Sequence, residues 1–236
     1  MTKRITSSRK KEKKINVKKR KIKYKNVMIF LSVILVIVIL IFLFLQLKIT
    51  NIYVSNNYYL SEQEIIDIAG ISNYPKSYQA TSFSVKRKLT NNQMIKSVNV
   101  TKKMFTSIYI EVTENRPIFY DSNKSATVLL DGSTTENQYI VPTVINYIPD
   151  TVYYSFFENM ILVDNDVLER ISEIKYDPND VDSERFLLFM DDGNYVYLTL
   201  DRFKSINNYL DIIKKFGSKK GILYLDSGEY FKILAE

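Results

Sequence analysis

The side chains able to do chemistry in this chain are its serines, threonines, lysines, tyrosines and carboxylates, because its 236 residues include no cysteine and no histidine. That excludes thiolate and imidazole nucleophiles, zinc and iron–sulfur sites built on those ligands, and disulfides. Two acidic groups stand out by spacing. Asp164-Asn165-Asp166 opens like a calcium loop, but an EF-hand needs Gly at the sixth position and Glu at the twelfth, where this chain has Glu169 and Lys175. Asp191-Asp192 could act as a carboxylate pair, yet it precedes Gly193-Asn194 between two apolar runs, the pattern of a solvated hairpin turn. Residues 48–236 contain neither a Gly-rich phosphate loop nor a Gly-x-Ser-x-Gly elbow. A Ser–Lys dyad, whose partners meet only in three dimensions, is the enzymatic reading left open. No catalytic residue, metal, cofactor or small-molecule substrate is expected.

A membrane segment precedes both of these acidic groups in the chain. Residues 1–25 hold 13 of the 33 Lys and Arg and one of the 26 acids, Glu12, leaving 20 basic and 25 acidic residues for the rest. The net charge of +7 therefore belongs to a tail, not to a folded surface. Residues 26–47 carry no charge, and within 27–47 only Ser32 and Gln46 are polar. At about 1.5 Å per residue that stretch spans roughly 31 Å, close to the ~30 Å hydrocarbon core. A cleaved signal peptide would have a shorter apolar region ending at small residues, and Leu43-Phe44-Leu45-Gln46-Leu47-Lys48 offers no such site. The positive-inside rule puts the basic tail in the cytoplasm and residues 48–236 outside. Each Lys or Arg near anionic lipid is worth about 1 kcal/mol, so the tail needs no nucleic acid to explain it.

Beyond the span, residues 49–54 alternate like a strand. Ser61-Glu62-Gln63-Glu64 is a capping box that opens a helix with Ile65, Ile66, Ile68 and Ala69, and Gly70 stops it. After a polar loop over 73–80, Phe83, Val85 and Leu89 predict a second helix. Ile95, Val98 and Val100 lead through Lys102-Lys103-Met104-Phe105 into residues 107–113, whose Ile108, Ile110 and Val112 share one face. The order is β-α-α-β-β. Past Asn115-Arg116-Pro117, the runs at 128–130, 186–190 and 195–200 flank tight turns. Asp201 is placed to cap a helix carrying Phe203, Ile206, Leu210, Ile213 and Phe216 on one face, with Gly217 at its exit. A last strand over 222–225 precedes Asp226-Ser227-Gly228. Tyr153-Tyr154 with Phe156-Phe157 lies outside any strand pattern and is expected to pack in the core or between domains.

Four segments follow one another behind the basic tail and single span. They are Ile52-Tyr53-Val54 with Asn56-Asn57-Tyr58-Tyr59-Leu60-Ser61; Glu64-Ile65-Ile66 through Ala69-Gly70-Ile71; Ile95-Lys96-Ser97-Val98-Asn99-Val100; and Ile108-Tyr109-Ile110-Glu111-Val112-Thr113-Glu114-Asn115-Arg116-Pro117-Ile118. Together they resemble the DivIB family of bacterial division proteins, called FtsQ in other bacteria, with its POTRA domain. The chain departs from that family at three turns. It has Asn56-Asn57 where Gly-Asn is common, Asn91-Asn92-Gln93-Met94 where Asn-Pro is, and Met104-Phe105-Thr106 where a Pro is usual.

The resemblance implies an α+β protein: a basic cytoplasmic tail over 1–26, a transmembrane helix over 27–47, a POTRA domain over 48–116, a mostly antiparallel β domain with a late helix over 117–228, and a C-terminal tail over 229–236. It further implies a non-catalytic scaffold at the division septum that binds DivIC/FtsB-like and FtsL-like bitopic proteins and helps control septal wall synthesis. In that family the final strand region binds the FtsB-type partner by strand pairing. The aligned segment here is Leu223-Tyr224-Leu225-Asp226-Ser227-Gly228, with Tyr230 and Phe231 as anchors. A strand over 222–225 at a sheet edge would leave one row of backbone groups free for such pairing. Composition alone supports a single-pass anchored interaction protein. An extracytoplasmic wall-modifying enzyme and a membrane-tethered sensor with a nucleic-acid-binding tail are the rival readings.

Overall fold

The computed structural model describes residues 24–234, so the expected contact of the basic tail with lipid falls largely on residues outside the described ones. Helix α1 (Tyr24–Gln46) is apolar on every side from Val27 to Leu45 apart from Ser32, and none of its residues is buried. Its 23 residues measure roughly 35 Å at about 1.5 Å each, and among the described residues it is the one helix long and apolar enough to cross a bilayer. The Ser32 hydroxyl donates to the Ile29 carbonyl at 2.8 Å, so this polar group is satisfied inside the helix, as hydrocarbon requires.

The chain beyond Gln46 builds two sheets. The first has three strands, β1 (Asn51–Ser55), β2 (Ile95–Lys103) and β3 (Ser107–Glu114), in the order β1-β3-β2. Because β1 runs parallel to β3, a crossover must join them, and α2 (Glu62–Ala69) and α3 (Ser82–Thr90) supply it. The expected β-α-α-β-β order is the observed one. The Ser61 Oγ accepts the Glu64 N–H at 3.2 Å while the Ser61 N–H donates to the Glu64 carboxylate at 2.7 Å, and Gly70 closes α2 at φ 65°. Ile65, Ala69, Val85 and Leu89 from the helices meet Val98, Val100, Ile108, Ile110 and Val112 from the sheet in one core. Phe83, expected with Val85 and Leu89, is 75% exposed. Two residues before Val85 on a helix is the opposite side, so the i, i+4 pair Val85 and Leu89 takes the core and Phe83 points away. At two of the turns that depart from the family, Asn56, Met104 and Phe105 take left-handed backbone at φ 64°, 51° and 61°.

The second sheet has nine strands in the order β12-β11-β10-β9-β8-β7-β4-β5-β6. They are β4 (Pro117–Asp121), β5 (Ala126–Leu129), β6 (Thr134–Thr135), β7 (Thr143–Val144), β8 (Ile171–Tyr176), β9 (Arg185–Met190), β10 (Tyr195–Thr199), β11 (Gly221–Tyr224) and β12 (Tyr230–Ile233). Five neighbouring pairs are antiparallel and three parallel, in line with a mostly antiparallel domain. One face is covered by α4 (Asp150–Met160), the short α5 (Asn165–Leu168), a 3₁₀ helix (Leu200–Asn208) and α6 (Tyr209–Lys214). The Phe156 ring lies 5.2 Å from Phe119, 4.8 Å from Phe186 and 5.9 Å from Phe203 at the centre of that core. The expected aromatic cluster thus sits on α4, with Phe156 in the core, Tyr153 and Phe157 packed against it, and Tyr154 facing out.

The late helix differs from its sequence reading. The chain turns into the 3₁₀ helix at Thr199, which makes no side-chain cap bond, so Asp201 does not cap it. With about 3.0 residues per turn, side chains three apart line up, and Phe203, Ile206 and Tyr209 enter the core while Leu210 is 41% exposed. This segment is the crossover that parallel β10 and β11 require.

The two sheets are joined through side chains. Leu129 of β5 packs into the core of the three-stranded sheet. The Arg116 guanidinium donates to the Ile161 carbonyl at 2.9 Å and to the Asn165 side chain. Within the first domain, the Glu114 carboxylate, ending β3, accepts the N–H groups of Tyr58, Tyr59 and Leu60 at 2.7, 2.7 and 2.9 Å.

Candidate partner-binding edge

The expectation that residues 222–225 form the sheet edge is corrected. Strand β11 is flanked on one side by β10, in parallel register Tyr195↔Ile222 to Tyr197↔Tyr224, and on the other by β12, in antiparallel register Gly221↔Ile233 to Tyr224↔Tyr230. Residues 230–233, read from the sequence as part of a tail, are the outer strand. The Asp226 carboxylate accepts the Ser227 N–H at 2.8 Å and so shapes the turn that sends the chain back. Gly221 has no Cβ where one would clash with the Lys232 carbonyl and the Phe231 ring, which lets β12 lie close.

Pairing alternates along an antiparallel ladder. The Leu234 N–H donates inward to the Lys220 carbonyl at 3.0 Å, so Lys232 and Tyr230 also turn their backbone groups toward β11, and Phe231 and Ile233 turn theirs outward. Among the described residues no strand pairs with that outer side.

The proposed site residues divide by face. Leu223 and Leu225 are buried in the core, and the Leu225 N–H is held by the Tyr197 carbonyl at 2.7 Å. Phe231 packs on Phe216 with ring centroids 4.4 Å apart, on the helix side. Tyr224 and Tyr230 stack on the opposite face, and Ser227 is exposed with Gly228 in the turn. Leu223 and Leu225 therefore support the edge from beneath without being available to a partner.

The open face carries a row not foreseen from the sequence. The Arg185 guanidinium lies 3.6 Å above the Tyr197 ring. Tyr197 stacks on Tyr224 at 5.5 Å, and Tyr224 on Tyr230 at 4.6 Å, so one side chain from each of β9 to β12 joins the row. Arg185 Nε donates to Asp226 at 2.8 Å and Nη1 to Asp177 at 3.2 Å, which fixes the guanidinium over the ring. Burial raises the Tyr224 phenol above its ordinary value, with the neighbouring Tyr230 and Tyr197 adding to it. Strand alternation puts Tyr195 and Tyr197 on one face of β10, but only the register across β10, β11 and β12 brings Tyr197, Tyr224 and Tyr230 together.

The Asp191-Asp192 pair holds the far end of this arrangement. Arg170 donates to Asp191 at 3.0 Å, and the Tyr209 hydroxyl donates to Asp192 at 2.8 Å. Burial first, and then the Asp192 hydrogen bond and charge, push the Tyr209 phenol well up, while the Asn194 amide pulls the other way. The buried Asn194 side chain accepts the Gly221 N–H at 2.8 Å and donates to Tyr209 at 3.1 Å, anchoring the start of β11. The turn is as expected, but Asp192 is half-buried and engaged, not simply solvated. A concavity of about 840 Å³ lies between the two sheets and is lined by residues that include Tyr58, Tyr59, Glu64, Tyr139, Ile140 and Glu169. Among the described residues no group of three or more acids is placed to hold a metal ion.

A family model described as "POTRA domain, FtsQ-type" matches residues 47–115, ending where the three-stranded sheet gives way to β4. The cell division protein DivIB of Bacillus subtilis is 27% identical over 194 residues, covering 78% of this chain and 74% of its own. Over most of its length the chain is similar to DivIB. The DivIB of Listeria monocytogenes is also 27% identical, over 198 residues covering 78% of this chain and 72% of its own. The solved major extracytoplasmic domain of the trans isomer of DivIB from Geobacillus stearothermophilus aligns with a TM-score of 0.34 and 21% identity, over 42% of this chain and 96% of that one. The similarity to DivIB supports a role in cell division.

Proposed function

We propose that this chain is a non-catalytic, single-pass division protein, with its N-terminus in the cytoplasm, a POTRA domain over 48–116 and a β domain from 117 onward outside the cell. On this reading it acts at the division septum, binding DivIC/FtsB-type and FtsL-type bitopic proteins and so helping to control septal wall synthesis. The observation that carries the reading is the outer side of β12, where Phe231 and Ile233 present unpaired backbone groups beside a stiff aromatic row. An incoming extended segment can add there as a further strand, with backbone hydrogen bonds giving affinity and Tyr230 and Tyr224 giving selectivity. The engagement of Asp191 by Arg170 and of Asp192 by Tyr209 gives those carboxylates a structural task and favours the scaffold over the enzyme.

The test is binding of the full chain to the DivIC-type ectodomain with Ile233→Pro, which removes an N–H that faces away from β11 and leaves the inner ladder whole. Weakened binding by a variant with unchanged circular dichroism supports the reading, and unchanged binding contradicts it. A fluorescent fusion that gathers at the septum of dividing cells supports the site of action; uniform membrane fluorescence contradicts it.

A further inference from the structure

The residues that directly follow the apolar helix are fastened into the POTRA domain. The Ser77 N–H donates to the Leu47 carbonyl at 2.8 Å, Lys48 forms an antiparallel bridge with Lys76, and the Ile49 N–H donates to the Pro75 carbonyl at 3.0 Å. The β2–β3 turn joins the same knot, because the Thr50 N–H donates to the Thr106 carbonyl at 2.8 Å and the Ser77 hydroxyl to the Phe105 carbonyl. Lys102 donates to the carbonyls of Ser77 and Ala80, bracing the two loops against each other. Leu47, the first residue of this knot, directly follows Gln46, the last residue of α1.

Their composition is that of a protein surface at lipid headgroup level. Met104 is 89% exposed at the turn, and Tyr74 and Tyr78 are exposed on the neighbouring loop. Segments 47–50, 73–80 and 101–107 contain Lys48, Lys76, Lys102 and Lys103 and no acid. Tyrosine rings with a polar tip, a flexible thioether and lysines that can lift their charge to the headgroups are the side chains that settle at that depth. Met104 also holds a left-handed backbone, φ 51°, while turning its side chain away from the protein interior, an arrangement with no packing return in water.

We propose that this end of the POTRA domain rests on the outer surface of the membrane, with Met104 entering the interface and Lys48, Lys76 and Lys103 facing anionic headgroups while Lys102 braces the loops, which fixes the height of the domain above the bilayer. The inference rests on the reading of α1 as a membrane span.

The chain has no cysteine, so a single introduced one can be labelled uniquely. The full chain would be reconstituted in vesicles containing phosphatidylglycerol, carrying an environment-sensitive dye at Met104→Cys, at Leu35→Cys in the middle of α1, or at Val181→Cys, which is 96% exposed in the β domain. Lipids spin-labelled either just below the headgroup or near the end of the acyl chain serve as quenchers. The expected result is strong loss of fluorescence at 104 with the shallow quencher, at 35 with the deep quencher, and at 181 with neither. Quenching at 35 without quenching at 104 overturns this inference and leaves the span intact; no quenching at 35 overturns the span reading itself. Vesicles of phosphatidylcholine alone should give weaker quenching at 104, and equal quenching would contradict the role given to the lysines.

Discussion

The rings of Tyr224 and Tyr230 stack with 4.6 Å between centroids and 11° between planes, so the last two strands are joined by side chains as well as by backbone. Tyr197 and the Arg185 guanidinium continue that row inward, and Asp226 and Asp177 hold the guanidinium in turn. A strand at the end of a sheet frays easily. One that is clamped on one face by tyrosines and on the other by Phe231 against Phe216 is already ordered when a partner arrives, and less freedom is lost on binding.

Removing a ring from the row should weaken the proposed partner more than the fold. Stacked aromatic pairs contribute about 0.5–1.5 kcal/mol beyond their buried area, so Tyr230→Ala should lower affinity for the DivIC-type ectodomain by up to about tenfold. Titration calorimetry measures this directly. Tyr224→Lys should cost more, because Tyr224 has a ring on either side. Unchanged affinity in both variants would show that the aromatic row does not contact the partner.

Gly221→Ala tests the seating of β12 without touching the row. A methyl group there meets the Lys232 carbonyl and the Phe231 ring, so the outer strand must lift away while Leu223 and the core beneath remain packed. Amide exchange at Lys232 should quicken markedly with little change at Val196 and Leu198. A variant whose exchange pattern matches the parent would show that the close approach at Gly221 is not needed.

The core of the POTRA domain should tolerate no charge. Ile110 is buried between the helices and the sheet, so Ile110→Asp places a carboxylate among apolar side chains. The cost should exceed about 3 kcal/mol, a large part of the ~5–15 kcal/mol typical of a domain. Urea unfolding followed by circular dichroism gives the difference, and a midpoint close to the parent's would show that Ile110 does not face the core.

Acid should loosen the start of α2. The Ser61 N–H, and after it the Ser61 hydroxyl, hold the Glu64 carboxyl below its ordinary value of 4.5. A carboxyl lowered in the folded state stabilises it above the unfolded value, and that contribution fades as pH falls through the lowered folded value. Glu64→Gln should therefore flatten part of the acid-side loss of stability below pH 4.5. Thermal melts across that range would show parallel curves for parent and variant if the capping carboxylate carries no such linkage.

Local signals were legible and long-range ones were not. The capping box at Ser61 and Glu64, the stop at Gly70 and the alternation of Ile108, Ile110 and Val112 are each written in a few adjacent residues, and the three-stranded sheet followed from them. Helix α4 was hidden because Val152, Phe156 and Met160 are interspersed with other aromatics and Pro149 offers no side-chain cap. The 3₁₀ helix passed for an α-helix because the two periods agree at Phe203 and Ile206 and part only at Tyr209 and Leu210. Strand β12 is four residues long, and nothing in its own composition says that it pairs. The row from Arg185 to Tyr230 depends on the register of four strands distant in sequence, which is set by turns and crossovers and not by spacing along the chain.

A partner strand that adds to the outer side of β12 must cover the backbone groups that face away from β11. Amide hydrogen exchange of the full chain, with and without saturating DivIC-type ectodomain, reads that side one residue at a time. The expected result is slowed exchange at Phe231 and Ile233, whose N–H groups face outward, and little change at Lys232, which is already paired with β11. Exchange at Phe231 and Ile233 that stays unchanged in the saturated complex would contradict it.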